Sequence, residues 1–248
     1  MTVLITGGTG NLGRPTVEAL RADGLEPRIL SRRPGAGHVV ADLHSGEGLS
    51  AALDGVETVL HLASNNRSDD RTTRRLLTAA SAAGAQHLVY VSIVGVDAVP
   101  YTYYRSKLAC ERLIAESGVP FTILRATQFH EFVGGLLRLQ RRLPRLIAPE
   151  MPVQPISTAA VAGRLVQLAQ AMPSGGRVDD LGGPEVLPLS EVARQWLEAR
   201  GSTPEAAASR VVEWRVPGRI AAAFRAGLHT TGVPGPGIRF AEWAATAS

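Results

Sequence analysis

The chain has 248 residues, enough to bury a large core, with 45% hydrophobic and 19% charged side chains and a net charge of +4. One cysteine, Cys110, excludes an internal disulfide and a cysteine-rich metal site, and the six dispersed histidines lack metal-ligand spacing. No apolar run is long enough for a membrane span, no signal peptide is expected ahead of the first strand, and the basic stretch from Arg138 to Arg145 is interleaved with leucines. A cytoplasmic protein without metal, membrane or direct nucleic-acid partner is expected, as a monomer or homodimer.

Short runs of Val, Ile and Leu alternate with helical stretches. Val3 to Thr6 reads as a strand and Leu12 to Ala22 as a helix, with Gly13, Thr16, Val17 and Leu20 on one face. Pro15 falls in its first turn, where a missing N–H is harmless. Strands follow at Arg28 to Ser31, His38 to Ala41 and Val56 to Leu62, with a short helix at Gly48 to Leu53 between the last two. A helix over Asp69 to Ala83 closes at Gly84. Strand Leu88 to Val94, helix Tyr103 to Glu116 and strand Phe121 to Arg125 continue the alternation.

Beyond Arg125 the expected elements are a helix over Phe129 to Leu143, a strand over Val153 to Ser157 and a helix over Thr158 to Ala171. Then come a strand over Arg177 to Leu181, a helix over Leu189 to Ala199 and a strand over Arg210 to Val216, with a loop at Thr231 to Gly237. Strands this apolar are buried on both faces, which predicts an α/β fold: a doubly wound parallel sheet that binds ligands beyond the carboxyl ends of its strands. Residues 1–130 form the expected core. Residues 131–248 are expected to extend the sheet and add a small substrate lobe, in one integrated unit.

Thr6-Gly7-Gly8-Thr9-Gly10-Asn11-Leu12-Gly13 sets a GxxGxxG pattern between a strand and a helix. Gly7 permits the sharp exit, Gly10 lets the backbone approach a pyrophosphate, and Gly13 permits close helix–strand packing. Thr9, Asn11 and Leu12 complete the turn, and the helix N-terminus offers unpaired N–H groups to phosphates. This is the signature of a Rossmann dinucleotide site. No acid stands at the tip of the second strand to hold a ribose 2′-hydroxyl. Ser31, Arg32 and Arg33 stand there instead and suit a 2′-phosphate, so NADP(H) is expected over NAD(H). Asp42 and Leu43 are candidates to border the adenine, Ala63 and Ser64 to border the pyrophosphate and ribose; each also reads as an ordinary loop.

Tyr103 and Lys107 lie four apart on a predicted helix and share a face that Cys110 and Ile114 continue. An ammonium beside a phenol favours the phenolate, so Tyr103, with Tyr101 and Tyr104 as rivals, is the candidate to exchange a proton as hydride moves, and Lys107 is a candidate to hold the nicotinamide ribose. Of 26 basic residues Lys107 is the only lysine, and only one other, Arg105 after Tyr101, stands four residues beyond a tyrosine. Ser92, ending the fifth strand, is a candidate hydrogen-bond donor to a substrate oxygen. Thr127, Gln128, Phe129 and His130 follow the sixth strand and are candidates to line a substrate pocket.

The stretches TGGTGNLG, LVYVSIVGVD, YYRSKLACE and FTILRATQF resemble the atypical short-chain dehydrogenase/reductases, in their NmrA-like, NAD(P)-binding branch. The resemblance covers residues 1–130 strongly. It implies a Rossmann core with Gly7, Gly10, Gly13 and Arg32 at the cofactor, and Ser92, Tyr103 and Lys107 at the active site. Ser92 and Tyr103 are eleven apart, closer than in typical members. The implied activity is reduction of a small carbonyl, quinone or enone by NADP(H). The alternatives are a dinucleotide-sensing regulator without catalysis and, against the small C-terminal lobe, a sugar-nucleotide epimerase.

Overall fold

The computed structural model describes residues 1–64 and 69–247. In chain order the first elements are β1 (Val3–Thr6), α1 (Gly13–Ala22), β2 (Arg28–Ser31), β3 (His38–Val40), α2 (Leu49–Leu53) and β4 (Thr58–His61). Next come α3 (Asp69–Ala82), β5 (His87–Ile93), α4 (Thr102–Ala115) and β6 (Phe121–Ala126). The later elements are α5 (His130–Leu139), β7 (Leu146–Pro149), β8 (Pro152–Val153), α6 (Thr158–Gln170), β9 (Gly176–Arg177) and β10 (Leu187–Pro188). The last are α7 (Leu189–Glu198), α8 (Pro204–Arg210), β11 (Val211–Trp214), α9 (Arg219–Arg225) and α10 (Phe240–Thr246).

The chain divides into two compact units. The first comprises Met1–Ser92, Thr102–Arg125 and Val161–Asp179. It carries a seven-stranded sheet in the order β3-β2-β1-β4-β5-β6-β9. Parallel pairing of β1 with both β2 and β4 puts the reversal of strand order beside β1, where a doubly wound sheet opens its ligand crevice. The glycine turn leaves β1 at that point. Leu4, Val59, Leu88 and Tyr90 of the sheet pack with Leu76, Leu77, Cys110 and Ile114 of the helices in one apolar cluster. On α1, Gly13, Thr16, Val17 and Leu20 are the buried residues, as their spacing requires.

The second unit comprises Ile93–Tyr101, Ala126–Ala160 and Asp180–Ser248. β11 pairs in parallel with β7, and β10 antiparallel with β8. Leu146, Ala148, Val192, Trp196 and Phe240 form its core with Val133 and Leu137. The expected helix to Leu143 ends at Leu139. There Gln140 turns the chain, its side-chain amide bonding both the N–H and the carbonyl of Ile147 and so starting β7. The expected strands at Val153 to Ser157 and Arg177 to Leu181 shrink to two residues each, supplemented by single bridges from Phe129 to Ile156 and from Ala126 to Leu181. Pro152 and Pro155 lack the N–H that a longer ladder would use.

Candidate dinucleotide site

The turn after β1 tolerates almost nothing but glycine. Gly7 has φ +72°, and a Cβ there would stand 2.7 Å from Ala63 N. A Cβ at Gly13 would stand 2.0 Å from Gly7 O, so α1 can approach β1 only without one. Gly10 differs: its Cβ would meet only Gly7 O, at 3.2 Å, and otherwise open space. Gly10 N–H donates to Gly7 O at 3.0 Å and fixes the turn. The N–H groups of Asn11, Leu12 and Gly13 donate to no backbone carbonyl among the described residues, and no side chain caps α1. A concave backbone with free amides and no Cβ in its mouth fits a pyrophosphate. Thr9 is spent otherwise in part, its carbonyl accepting from Arg14 Nε.

Ser31 ends β2, and its hydroxyl accepts from Arg33 N–H at 3.1 Å, shaping the tip. Arg32 and Arg33 are exposed there. Asp42 accepts from His44 N–H at 2.8 Å and organises the loop after β3, while Leu43 packs on the core. Ala63 N–H donates to Thr6 Oγ1, tying the end of β4 to the end of β1.

Below these strand ends lies a buried polar chain that sequence reasoning missed. His61 pairs with Thr6 Oγ1 at 2.8 Å through Nδ1 and with Thr73 Oγ1 at 3.0 Å through Nε2. Thr73 donates its proton to Cys110 Sγ. Nε2 therefore carries the ring proton, and Nδ1 accepts from Thr6. Burial, and secondarily the charge of Lys107, push the His61 pKa down to about 3, so the ring is neutral. A histidine within the apolar run Val59-Leu60-His61-Leu62 was the available signal.

Tyr104, Lys107, Cys110, Glu111 and Ile114 are the buried residues of α4. Tyr103 sits at the edge of that face, half-buried, with its hydroxyl 3.2 Å from Ser64 Oγ. Ser64 donates to Asp69 Oδ2 at 2.5 Å. The Lys107 ammonium lies 4.4 Å from the centre of the Tyr90 ring. Burial lowers the Lys107 pKa, opposed by Asp69, Cys110 and Glu111. Ser92 Oγ is buried and hydrogen-bonds to no described residue, Tyr103 and Lys107 included. Glu111 holds Arg125 through two bonds, of 2.9 and 2.7 Å, joining α4 to β6.

Residues 127–130 lie in the second unit. Thr127 is buried, and its hydroxyl accepts from Gly183 N–H. Gln128 donates to His229 O and accepts from Gln154 N–H, so its amide serves the fold. Phe129 is half-buried and caps α5. The fully buried His130 ring meets Phe240 and Trp243, each with centroids 5.6 Å away. Burial drives its pKa to about 4, only partly offset by the nearby Pro155 carbonyl. Among the described residues no group of three metal-ligating side chains converges, and no helix is long and apolar enough to cross a membrane.

The chain matches the family described as NAD(P)H-binding over residues 7–171. It is 30% identical over 208 residues to (4-alkanoyl-5-oxo-2,5-dihydrofuran-3-yl)methyl phosphate reductase of Streptomyces griseus, covering 78% of this chain and 72% of that one. Quinone oxidoreductase 2 of Escherichia coli is 28% identical over 141 residues, 52% of this chain and 49%, about half, of the relative. The solved NADPH complex of the Escherichia coli quinone oxidoreductase QOR2 shares the fold, with TM-score 0.75 and 23% identity over 98% of this chain and 86% of that one. Photosystem II assembly factor Ycf39 of Trieres chinensis is 27% identical over 216 residues, 77% of this chain and 67% of the relative. The chain belongs to the NAD(P)H-binding family, within the atypical short-chain dehydrogenase/reductases.

Proposed function

We propose that the protein is an NADP(H)-dependent reductase of a small carbonyl, quinone or enone. One observation carries this reading. The Tyr103 hydroxyl bonds to Ser64, three residues beyond β4, and β4 pairs with β1, whose end opens the glycine turn. A proton donor thus stands beside the strand that presents the phosphate cradle.

The bound dinucleotide would supply a hydride. The chain's own groups do the rest. Amides of the turn hold the diphosphate, and Arg32 and Arg33 favour the 2′-phosphate. Lys107 offers the only lysine ammonium of the chain, poised one helical turn beyond Tyr103, and Tyr103 gives a proton to the substrate oxygen. Ser92 carries a buried hydroxyl whose bonding capacity the described residues leave unused, as a substrate-polarising group requires. Relatives named as a reductase and as a quinone oxidoreductase support the same class.

Calorimetric titration with NADPH and NADH, followed by NADPH-oxidation assays on quinones, ketones and enones, tests the proposal. Tighter NADPH binding with turnover of one class supports it. Full turnover by Tyr103→Phe and Lys107→Ala rejects the assigned chemistry. A second reading, a non-catalytic NADP(H) sensor, is favoured by the relative named as an assembly factor. It predicts NADP(H) binding, no turnover, and a protein partner captured only when the dinucleotide is present.

A further inference from the structure

Two adjoining cavities open in the second unit. One, of about 340 Å³, is lined chiefly by Met151, Val216, Pro217, Ile220, Ala221 and Phe224, with Glu150 and Arg225 as its charged members. The other, of about 370 Å³, shares Glu150, Met151 and Arg225 with it and adds Glu213. Helix α9 supplies much of the first wall, through Ile220, Ala221, Phe224 and Arg225. A helix of seven residues does not hold its shape alone in water and relies on covering an apolar face. Yet α9 buries none of its residues, and Ile220 is 41% exposed. The apolar side chains that would anchor it line the cavity instead.

That wall is fixed in place. The Phe224 ring stands edge-on to His229, with centroids 4.8 Å apart, and to Tyr101, with centroids 6.4 Å apart. Pro217 is rigid, and the Met151 thioether makes favourable contact with aromatic rings. The charges supply a second observation. Arg225 donates one N–H to Val216 O at 2.7 Å, and its other N–H groups meet no acceptor among the described residues. Among the same residues the Glu150 carboxylate pairs only with the exposed Arg215, at 3.7 Å. Glu150 and Arg225 thus line one cavity without pairing with each other. An apolar lining with a few convergent polar groups, at this volume, suits a small molecule.

We propose that the cavity walled by α9 binds a neutral, planar aromatic molecule of about two fused rings. Such a ligand carries a carbonyl oxygen for Arg225 and an N–H or O–H for Glu150. An aliphatic chain would fill the volume and leave both charged groups unanswered. An anion would gain Arg225 and meet two carboxylates, Glu150 and, from the adjoining cavity, Glu213. None of these residues is assigned to dinucleotide binding or proton transfer, and the site is independent of the reduction proposed above.

Calorimetric titration of the full chain with 2-naphthamide, beside its anionic isostere 2-naphthoate, tests the site. The amide is expected to bind one-to-one, and the carboxylate at least about tenfold more weakly. Ala221→Trp sets an indole into the cavity from a helix that buries no residue, so 2-naphthamide binding is lost while the melting temperature stays. Glu150→Gln removes one of the opposing carboxylates, and 2-naphthoate binding strengthens by about threefold. No saturable binding of 2-naphthamide to the wild-type chain overturns the proposal. Undiminished binding in Ala221→Trp places the amide elsewhere and overturns it too. So does 2-naphthoate binding as tightly as the amide, or an unmoved 2-naphthoate affinity in Glu150→Gln.

Discussion

The ammonium of Lys107 rests 4.4 Å above the centre of the Tyr90 ring, inside the helix–sheet interface. Burial disfavours its charged form, and Asp69, Cys110 and Glu111 only partly compensate. A cation kept there against desolvation is a cost to the fold that a purely structural position would shed. Lys107→Met is therefore expected to melt at or above the wild-type temperature while turnover falls by about a hundredfold or more. Lys107→Arg does not restore it, because a planar fork cannot replace a compact ammonium in that space. Differential scanning fluorimetry and NADPH-oxidation kinetics check both halves.

Gly10 and Gly13 separate binding from folding. A methyl at Gly13 meets Gly7 O at 2.0 Å, a backbone atom that cannot give way, so Gly13→Ala costs about 1–3 kcal/mol of stability and weakens NADPH binding as well. A methyl at Gly10 meets only Gly7 O at 3.2 Å and otherwise projects into the open mouth of the turn. Gly10→Ala, tight against that same oxygen but far less so than Gly13→Ala, is expected to lower the melting temperature by the smaller margin and to lose dinucleotide affinity. Calorimetric titration beside thermal denaturation of the two variants distinguishes these outcomes.

Arg32 and Arg33 are exposed beyond β2, on a tip shaped by the Ser31 hydroxyl. A charged bond to a 2′-phosphate is lost when Arg32 is shortened, and NADH has no such group. Arg32→Ala should weaken NADPH binding by about tenfold and leave NADH binding unchanged. An equal loss for both dinucleotides would assign Arg32 to some other contact.

The glycine turn and the alternation of strands and helices were legible because both are local. Gly7, Gly10 and Gly13 answer to one strand–turn–helix unit, and Thr16, Val17 and Leu20 answer to helical spacing. The chain Thr6–His61–Thr73–Cys110 was not legible. Its members are 12 to 55 residues apart, on four different elements, and meet only when the sheet is assembled. Asp69 marks only the start of a helix in the sequence, and its bond to Ser64 and its charge beside Lys107 appear only in the fold. In the second unit, α8 carries a local signal in Thr203-Pro204, whose threonine accepts from Ala206 N–H. By contrast α9 buries no side chain, so no apolar stripe announces it.

Four histidines are buried with pKa values lowered chiefly through desolvation: His61 to about 3, His130 and His229 to about 4, and His87 in the same direction. In the unfolded chain each takes up its proton near pH 6.5. A group depressed on folding is neutral in the native state while the unfolded state is already charged. Stability is thus full above about pH 6.5 and falls by about 1.4 kcal/mol per pH unit for each histidine, down to its folded pKa. The protein should be acid-labile, with melting temperature dropping steeply between pH 6.5 and 4. His130→Phe, packing against Phe240 and Trp243, should remove one proton from that dependence. Proton uptake on unfolding, measured calorimetrically across that range, is expected to be lower by close to one for this variant. An unchanged uptake would mean that His130 is already protonated within the fold.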